Sequence, residues 1–298
     1  MFTSGLKAFD AAVRTGSIRK ASDSLGVAPS SVSRHVALLE REIGTALFDR
    51  KARGVKLTFA GELVADYARS VLIGYDTLRS DLNDLRGTRR RLIRVAMIES
   101  IATTGPMDAV KQFNQKYPEV SFELKLLPAL RVVEAVRDDE CDIGLTFGAE
   151  PDHHILTLAR FHEPIVVLAP LDHPLAGRER VQLAEVAEFP LALPDESFGV
   201  RRIVERASAR SAVPLAPTLS TNVFELLREF VRCGIGLALL PQRACRLATQ
   251  PGLCSIALAD RAFTDVTIDL IVLRKRKLPR VVKAFVDLLS REIETAAS

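Results

Sequence analysis

The sequence predicts an α/β chain in two parts: a small helical N-terminal unit, joined by one long helix to a larger unit of two α/β lobes. Three observations predict it. Apolar residues recur at helical spacing up to about residue 86, and from Leu92 short β-rich runs alternate with helical ones. Charge divides at the same place: residues 1–91 hold 16 Lys+Arg against 10 Asp+Glu, net +6, and the rest hold 25 against 27, net −2. With 298 residues, 48% of them apolar, there is material for two or three compact units. No run of 18 apolar residues occurs, so a disordered chain or a membrane span is not expected. The start, MFTSGLKAFDAAV, carries Asp10 and an amphipathic rhythm of Leu6, Phe9 and Val13. That is unlike a signal peptide, and a cytoplasmic chain with no membrane partner is expected.

The first unit is read from residues 16–61. Ser17 precedes a helical run in which Ala21 and Leu25 share a face, and Gly26 breaks it. Pro29 suits a first helical position, after which Val32, Val36, Leu39 and Ile43 repeat at 4, 3 and 4 residues until Gly44. The opposite face of this second helix carries Ser30, Ser31, Ser33, Arg34 and His35, short donors crowded at its N-terminus. Arg50, Lys51, Arg53 and Lys56 then surround Gly54, as in a two-stranded wing with Gly54 at the turn. Helix, turn, helix and basic hairpin in that order describe a winged helix-turn-helix over residues 1–61. Its second helix reads base edges while Lys20 and the wing cations touch phosphates. Each piece alone has an ordinary explanation, since serines cap helices and scattered cations form solvated faces. Their order and the local positive charge point to double-stranded DNA.

Residues 62–91 form the linker. Val64, Ala68, Val71, Tyr75, Leu78, Leu82 and Leu85 step by 4, 3, 4, 3, 4 and 3, a 3.5-residue period over three heptads. The spacing predicts a self-associating seam, so that a homodimer or homotetramer presents paired reading helices. Arg89, Arg90 and Arg91 after Gly87 mark the hinge.

Beyond Leu92 the order is strand (IRVAMI), helix, strand (VSFELKLL), helix (LRVVEAVRD) and strand (CDIGLTFG). This implies a largely parallel sheet with helices on its faces. A second set runs through PIVVLAP, FPLALP, LAPTLST, the helix NVFELLREFVRCG and IGLALLP, before VTIDLIVL and a C-terminal helix. Two such lobes connected twice suggest a cleft, with ligand groups where strands hand over to helices. The candidates are Ser100, the turn Ser197, Phe198 and Gly199, and Thr221 with Asn222, together with Ile101, Ala129 and Phe147. Backbone N–H groups there would converge on an anion, although Ser100 and Asn222 serve equally well as helix caps. Cys141, Cys233, Cys245 and Cys254 are separated by 92, 12 and 9 residues, and His153, His154, His162 and His173 lack ligand spacing. No metal, catalytic residue or cofactor is expected, and the thiols are expected reduced.

Phe9, Gly16, Ser17, Ala21, Leu25, Ser33, Leu39, Glu40, Gly44, Leu47, Phe48, Arg50, Leu57, Thr58 and Gly61 fall in a pattern that resembles the LysR-type transcriptional regulators. The resemblance spans the whole chain. It implies that residues 92–298 form an effector domain with the fold of periplasmic type 2 binding proteins. Lobe I would be 92–163 with 265–298, lobe II 164–264, and the crossovers near Glu163 and Thr264 the hinge. A small-molecule effector of unknown identity would bind between the lobes, and RNA polymerase is a further implied contact. Two departures stand out. Pro128-Ala129-Leu130 lies where many members carry a Ser or Thr that grips a carboxylate. Ala28-Pro29 replaces the usual Ser or Thr and Gln, which leaves base reading to Ser30, Ser31, Arg34 and His35. The competing functions are an enzyme or a transport solute-binding protein built on the α/β lobes. Against the first stands the lack of a G-x-S-x-G, P-loop or G-x-G-x-x-G motif. Against the second stand the fused DNA reader and the start of the chain.

Overall fold

The computed structural model describes residues 2–49, 55–85, 91–102, 104–149, 152–246, 252–274 and 276–296. The chain divides into two compact units, one built on residues 1–88 with 275–279 and the other on 89–274 and 280–298.

The first unit contains α1 (Phe2–Thr15), α2 (Ile18–Leu25), α3 (Pro29–Ile43) and α4 (Phe59–Leu85). Ser17 caps α2 by accepting the Lys20 N–H at 3.4 Å, and Gly26 ends it in the left-handed region at φ 64°. Helix α3 has no side-chain cap: Ala28 is extended and Pro29 opens the first turn. Proline brings no N–H of its own, so one orphan donor is removed rather than satisfied. Leu6 and Phe9 of α1, Ala21 of α2, Val32, Val36 and Leu39 of α3, Leu47, and Ala68 of α4 form one core. Phe48 pairs with Leu57 across an antiparallel bridge, and the Asp49 N–H donates to the Lys56 carbonyl at 2.8 Å. That is the stem of a hairpin. Its tip, with Arg50, Lys51, Arg53 and Gly54, lies outside the described residues, as do Arg89 and Arg90.

The linker seam is corrected in part. Val64, Ala68 and Val71 turn inward and pack on the core of their own unit. Among the described residues, the large apolar side chains that α4 leaves exposed are Phe59, Leu63, Tyr67, Tyr75 and Leu78. A heptad step places residues on one face without specifying what that face meets, and the first face met is the helix-turn-helix itself. The side chains of Leu82 and Leu85 lie outside the described residues.

The second unit opens with β1 (Arg91–Met97) and a 3-10 turn at Glu99–Ile101. It continues through α5 (Pro106–Lys116), β2 (Val120–Leu126), α6 (Ala129–Arg137), β3 (Ile143–Phe147) and β4 (Ile155–His162). Next come β5 (Ile165–Pro170), β6 (Arg180–Val181), α7 (Leu183–Val186), β7 (Leu191–Pro194), α8 (Gly199–Ser211), β8 (Leu219–Thr221) and α9 (Phe224–Arg232). The chain closes with β9 (Leu237–Pro241), α10 (Gln242–Arg246), β10 (Leu253–Leu258), α11 (Arg261–Thr264), β11 (Thr267–Leu273) and α12 (Arg280–Thr295).

These strands form two sheets, ordered β2-β1-β3-β11-β4 and β6-β10-β5-β9-β7-β8. Both are mixed, not largely parallel. Strand β1 runs parallel to β2 and β3, and β7 parallel to β8 and β9, as strand-helix-strand units require. Strands β11 and β5 run antiparallel to their neighbours β3 and β9 because each begins where the chain crosses from one sheet to the other. Phe113, Phe122 and Phe285 pack ring on ring, 4.8–6.0 Å between centroids, between the first sheet and α5 and α12. The second sheet packs Val166, Leu168, Ala192, Ala238 and Leu240 against Phe224, Leu227, Phe230 and Val231 of α9.

Candidate functional sites: a DNA-reading helix and an interlobe cavity

In the first unit, burying Val32, Val36 and Leu39 obliges the opposite side of α3 to face solvent. Ser30, Ser33 and Arg34 are exposed there, and Ser31 and His35 lie half-buried at its flanks. His35 borders a groove with Gly5, Leu38, Leu39, Arg41 and Glu42, so its ring sits toward α1. Lys20 on α2 and Lys56 on the hairpin stem are both exposed.

One residue that positions this surface is not legible from spacing. The Glu40 carboxylate accepts the N–H groups of Leu47 and Phe48, at 2.8 and 3.3 Å. It thereby ties the last turns of α3 to the hairpin stem, while Phe48 stacks 5.1 Å from Phe9. Gly61 finishes the joint: a Cβ there would stand 2.1 Å from the Leu47 carbonyl oxygen.

In the second unit, a cavity of about 200 Å³ opens among residues drawn from both sheets. Ile98, Glu99 and Ser100 reach it from the end of β1, and Leu126 to Ala129 from the β2–α6 connection. Phe147 comes from the end of β3, Ser197 to Gly199 from the start of α8, and Asn222 and Phe224 from the start of α9. Strand ends and helix starts gather there because each strand-helix-strand unit turns at the C-terminal edge of its sheet.

Of the predicted ligand groups, Ser100, Ala129, Phe147, Ser197, Phe198, Gly199 and Asn222 line this cavity. Two do not. Ile101 is fully buried in the hydrophobic core, and Thr221 is spent in β8, where its carbonyl accepts the Asp195 N–H at 3.0 Å. A β-branched apolar side chain one residue beyond Ser100 turns from the cavity into the core. Ser197 donates its hydroxyl to Asp195 at 2.5 Å and forms the tight entry to α8. Ser100 is 1% exposed, and its Oγ has no hydrogen-bond partner among the described residues. A buried hydroxyl left unpaired is costly.

Glu99, absent from the predicted set, is the cavity's charged residue among the described lining. Its carboxylate meets the Phe224 N–H at the start of α9, a helix that has no side-chain cap of its own. Burial pushes the Glu99 carboxyl above the usual carboxylate range, against the opposing pull of Arg228 and of that N–H. No periodicity marks such a residue, because its partners lie more than a hundred positions away.

Both chain crossings between the sheets meet at a buried ion pair. Glu163 follows β4 and is wholly buried, and Arg243 in α10 is 3% exposed. Arg243 Nε stands 2.6 Å from Glu163 Oε2, and its backbone N–H donates to Oε1 at 2.9 Å. The guanidinium also donates to the Ile293 carbonyl of α12 at 3.2 Å. The Glu163 N–H bonds the Val266 carbonyl at 2.9 Å, clamping one crossing to the other.

The four cysteines are free. Burial pushes the thiols of Cys141 and Cys245 up to about 12, which holds them protonated and unreactive at neutral pH. Among the described residues no helix is long and apolar enough to cross a membrane.

Comparison with known proteins agrees with this anatomy. Residues 4–62 match the family described as "Bacterial regulatory helix-turn-helix protein, lysR family", and residues 86–294 match "LysR substrate binding domain". The RuBisCO operon transcriptional regulator of Allochromatium vinosum is 29% identical over 246 residues, covering 82% of this chain and 81% of that protein. The HTH-type transcriptional regulator YybE of Bacillus subtilis is 25% identical over 236 residues, with 79% and 81% covered. Among solved structures, a full-length OxyR variant from Pseudomonas aeruginosa superposes with a TM-score of 0.69 at 20% identity, covering 98% of this chain and 94% of that one. CbnR in complex with its target DNA superposes at 0.58 and 17% identity, covering 98% and 100%. With a helix-turn-helix reader, a two-sheet unit closed around a cavity, and family matches over almost its whole length, the chain belongs to the LysR family of bacterial transcriptional regulators.

Proposed function

We propose that this regulator senses a small molecule in the cavity between its two sheets and passes that occupancy to a DNA-reading α3. The observation that carries the reading is a cavity built by both sheets and lined by Ser100, a buried residue whose hydroxyl has no hydrogen-bond partner among the described residues. A ligand that binds the two lobe arrangements unequally shifts their balance, which is the thermodynamic requirement for allostery. Ser100, Ala129, Phe147, Ser197, Phe198, Gly199 and Asn222 form the ligand shell in this reading. Ser30, Ser33 and Arg34 read bases, with Ser31 and His35 beside them. Lys20, Lys56 and the hairpin cations Arg50, Lys51 and Arg53 hold phosphates, which supply affinity without sequence preference. The chain works in the cytoplasm as a dimer or tetramer rather than as an enzyme. Its self-association uses the exposed Leu63, Tyr67, Tyr75 and Leu78 of α4.

Mapping genomic fragments captured by the purified chain identifies the operator. Arg34→Ala is then expected to weaken operator binding by about 1–3 kcal/mol, the range of a good base contact. An equal loss on random DNA would demote Arg34 to a phosphate contact. Failure to enrich any sequence would remove the reading altogether.

A further inference from the structure

The chemistry of the cavity narrows the class of molecule it takes. Its described lining contains no Lys, Arg or His, and Glu99 carries the one formal charge. An anionic ligand would normally be drawn to the helix starts that open here. One of them is already occupied. Glu99 occupies the start of α9, where it meets the Phe224 N–H. At the start of α8 the backbone of Gly199 lies close to apolar walls, a Cβ there standing 3.3 Å from the Phe147 ring and 3.5 Å from the Ala129 side chain. A carboxylate entering the cavity would face the Glu99 carboxylate and meet no cation in the described lining, which costs affinity in a partly buried site.

Two residues adjacent in sequence, in contrast, both line the space: Glu99 with its carboxylate, and Ser100, whose Oγ has no hydrogen-bond partner among the described residues. The walls around them are Phe147, Phe198 and Phe224, the last two edge-to-face with centroids 4.7 Å apart. Aromatic faces favour an apolar skeleton and also attract a cation.

Resting on the sensing role proposed above, we infer that the cavity selects a small amine, whose N–H groups bond Glu99 and Ser100 while its carbon skeleton lies against the three phenylalanines. The carboxylate that caps α9 is therefore also the specificity-determining group. It excludes acids and orients amines, and it lies in lobe I while the helix it caps lies in lobe II.

Calorimetric titration of the full chain with charge-reversed pairs tests this: phenethylamine against phenylacetate, and cyclohexylmethylamine against cyclohexanecarboxylate. Saturable binding is expected for the amines, at least about tenfold tighter than for the matched acids. Glu99→Gln is expected to weaken the amines by about tenfold or more, the size of one hydrogen bond to a charged group, and to erase the preference. Thermal midpoints establish that this near-isosteric variant is folded. Acids that bind as tightly as amines, no amine binding, or amine binding indifferent to Glu99→Gln would each overturn the inference. Operator binding measured with each ligand separates the two readings. An acid that occupies the cavity and alters DNA affinity sinks the amine assignment and keeps the sensor. An amine that binds through Glu99 without altering DNA affinity supports the assignment and removes the sensor.

Discussion

Removing the acidic half of the Glu163–Arg243 pair is the sharpest perturbation this structure offers. Glu163→Gln keeps the shape of the side chain and one acceptor oxygen for the Arg243 N–H, but it discards the charge. Both side chains are excluded from solvent, at 0% and 3% exposure, so water cannot take over the solvation of the guanidinium. The other hydrogen bond of the guanidinium among the described residues, to the Ile293 carbonyl at 3.2 Å, is long and has a neutral acceptor. Breaking a buried pair in this way costs about 3–5 kcal/mol, mostly as the penalty for the charge left behind. In a unit of this size 1 kcal/mol corresponds to about 2–4 °C, so the transition of the second unit should fall by roughly 6–20 °C. Differential scanning calorimetry of the full chain reads that fall. The double variant Glu163→Met with Arg243→Met supplies the control. Replacing both charges with apolar groups of similar length should recover most of the loss, because no unpaired ion remains. A drop below about 1 kcal/mol for Glu163→Gln, or a double variant no better than the single one, would refute the argument that the pair is desolvated and mutually dependent.

Other predictions address the remaining joints. Gly61→Ala forces a Cβ to within 2.1 Å of the Leu47 oxygen, so the first unit should lose about 1–3 kcal/mol or more, read from its own thermal transition. Leu63→Lys with Tyr67→Lys should lower the mass seen by light scattering while the first unit stays folded; Val71→Lys should instead destabilise that unit, since Val71 is partly buried against its core. Exposed Cys233 should be alkylated at pH 8 well before Cys141 and Cys245, as followed by intact mass. Because folding raises those two thiols from near 9 to about 12, the folded state holds their protons more tightly than the unfolded one. Their contribution is complete below pH 9 and is lost as pH rises toward 12, so urea midpoints should decline across that window.

Periodicity and charge made the reader and the order of the lobes legible. Val32, Val36 and Leu39 are buried where the helical stripe predicts, and the basic hairpin stem pairs at Phe48 and Leu57. Spacing failed wherever the answer depended on a distant partner. Val64 and Val71 repeat like an intermolecular seam, yet the core of their own unit meets them first. Ile101 neighbours a ligand candidate in sequence but points to the core. Helix α8 and strand β10 carry little signal in the sequence, because α8 holds the polar run RRIVERASARS and β10 is a partly exposed strand near a sheet edge. Glu99, Glu163 and Arg243 read as ordinary charges until the fold brings the other half of each contact to them.

The strand order has a consequence for how this protein is made. In the first sheet β11 lies between β3 and β4, so these two consecutive strands cannot pair with each other and wait for residues 267–273. During synthesis the DNA reader is complete long before that strand emerges. At about 5–20 residues per second, the inner edge of β3 stays open for roughly 6–25 s on the ribosome. An unpaired, fully buried strand such as Ile143–Phe147 is an aggregation hazard for that interval. Nascent chains of this regulator therefore pass through a state in which the first unit is synthesised while the first sheet is unfinished and the edge of β3 is open to other chains.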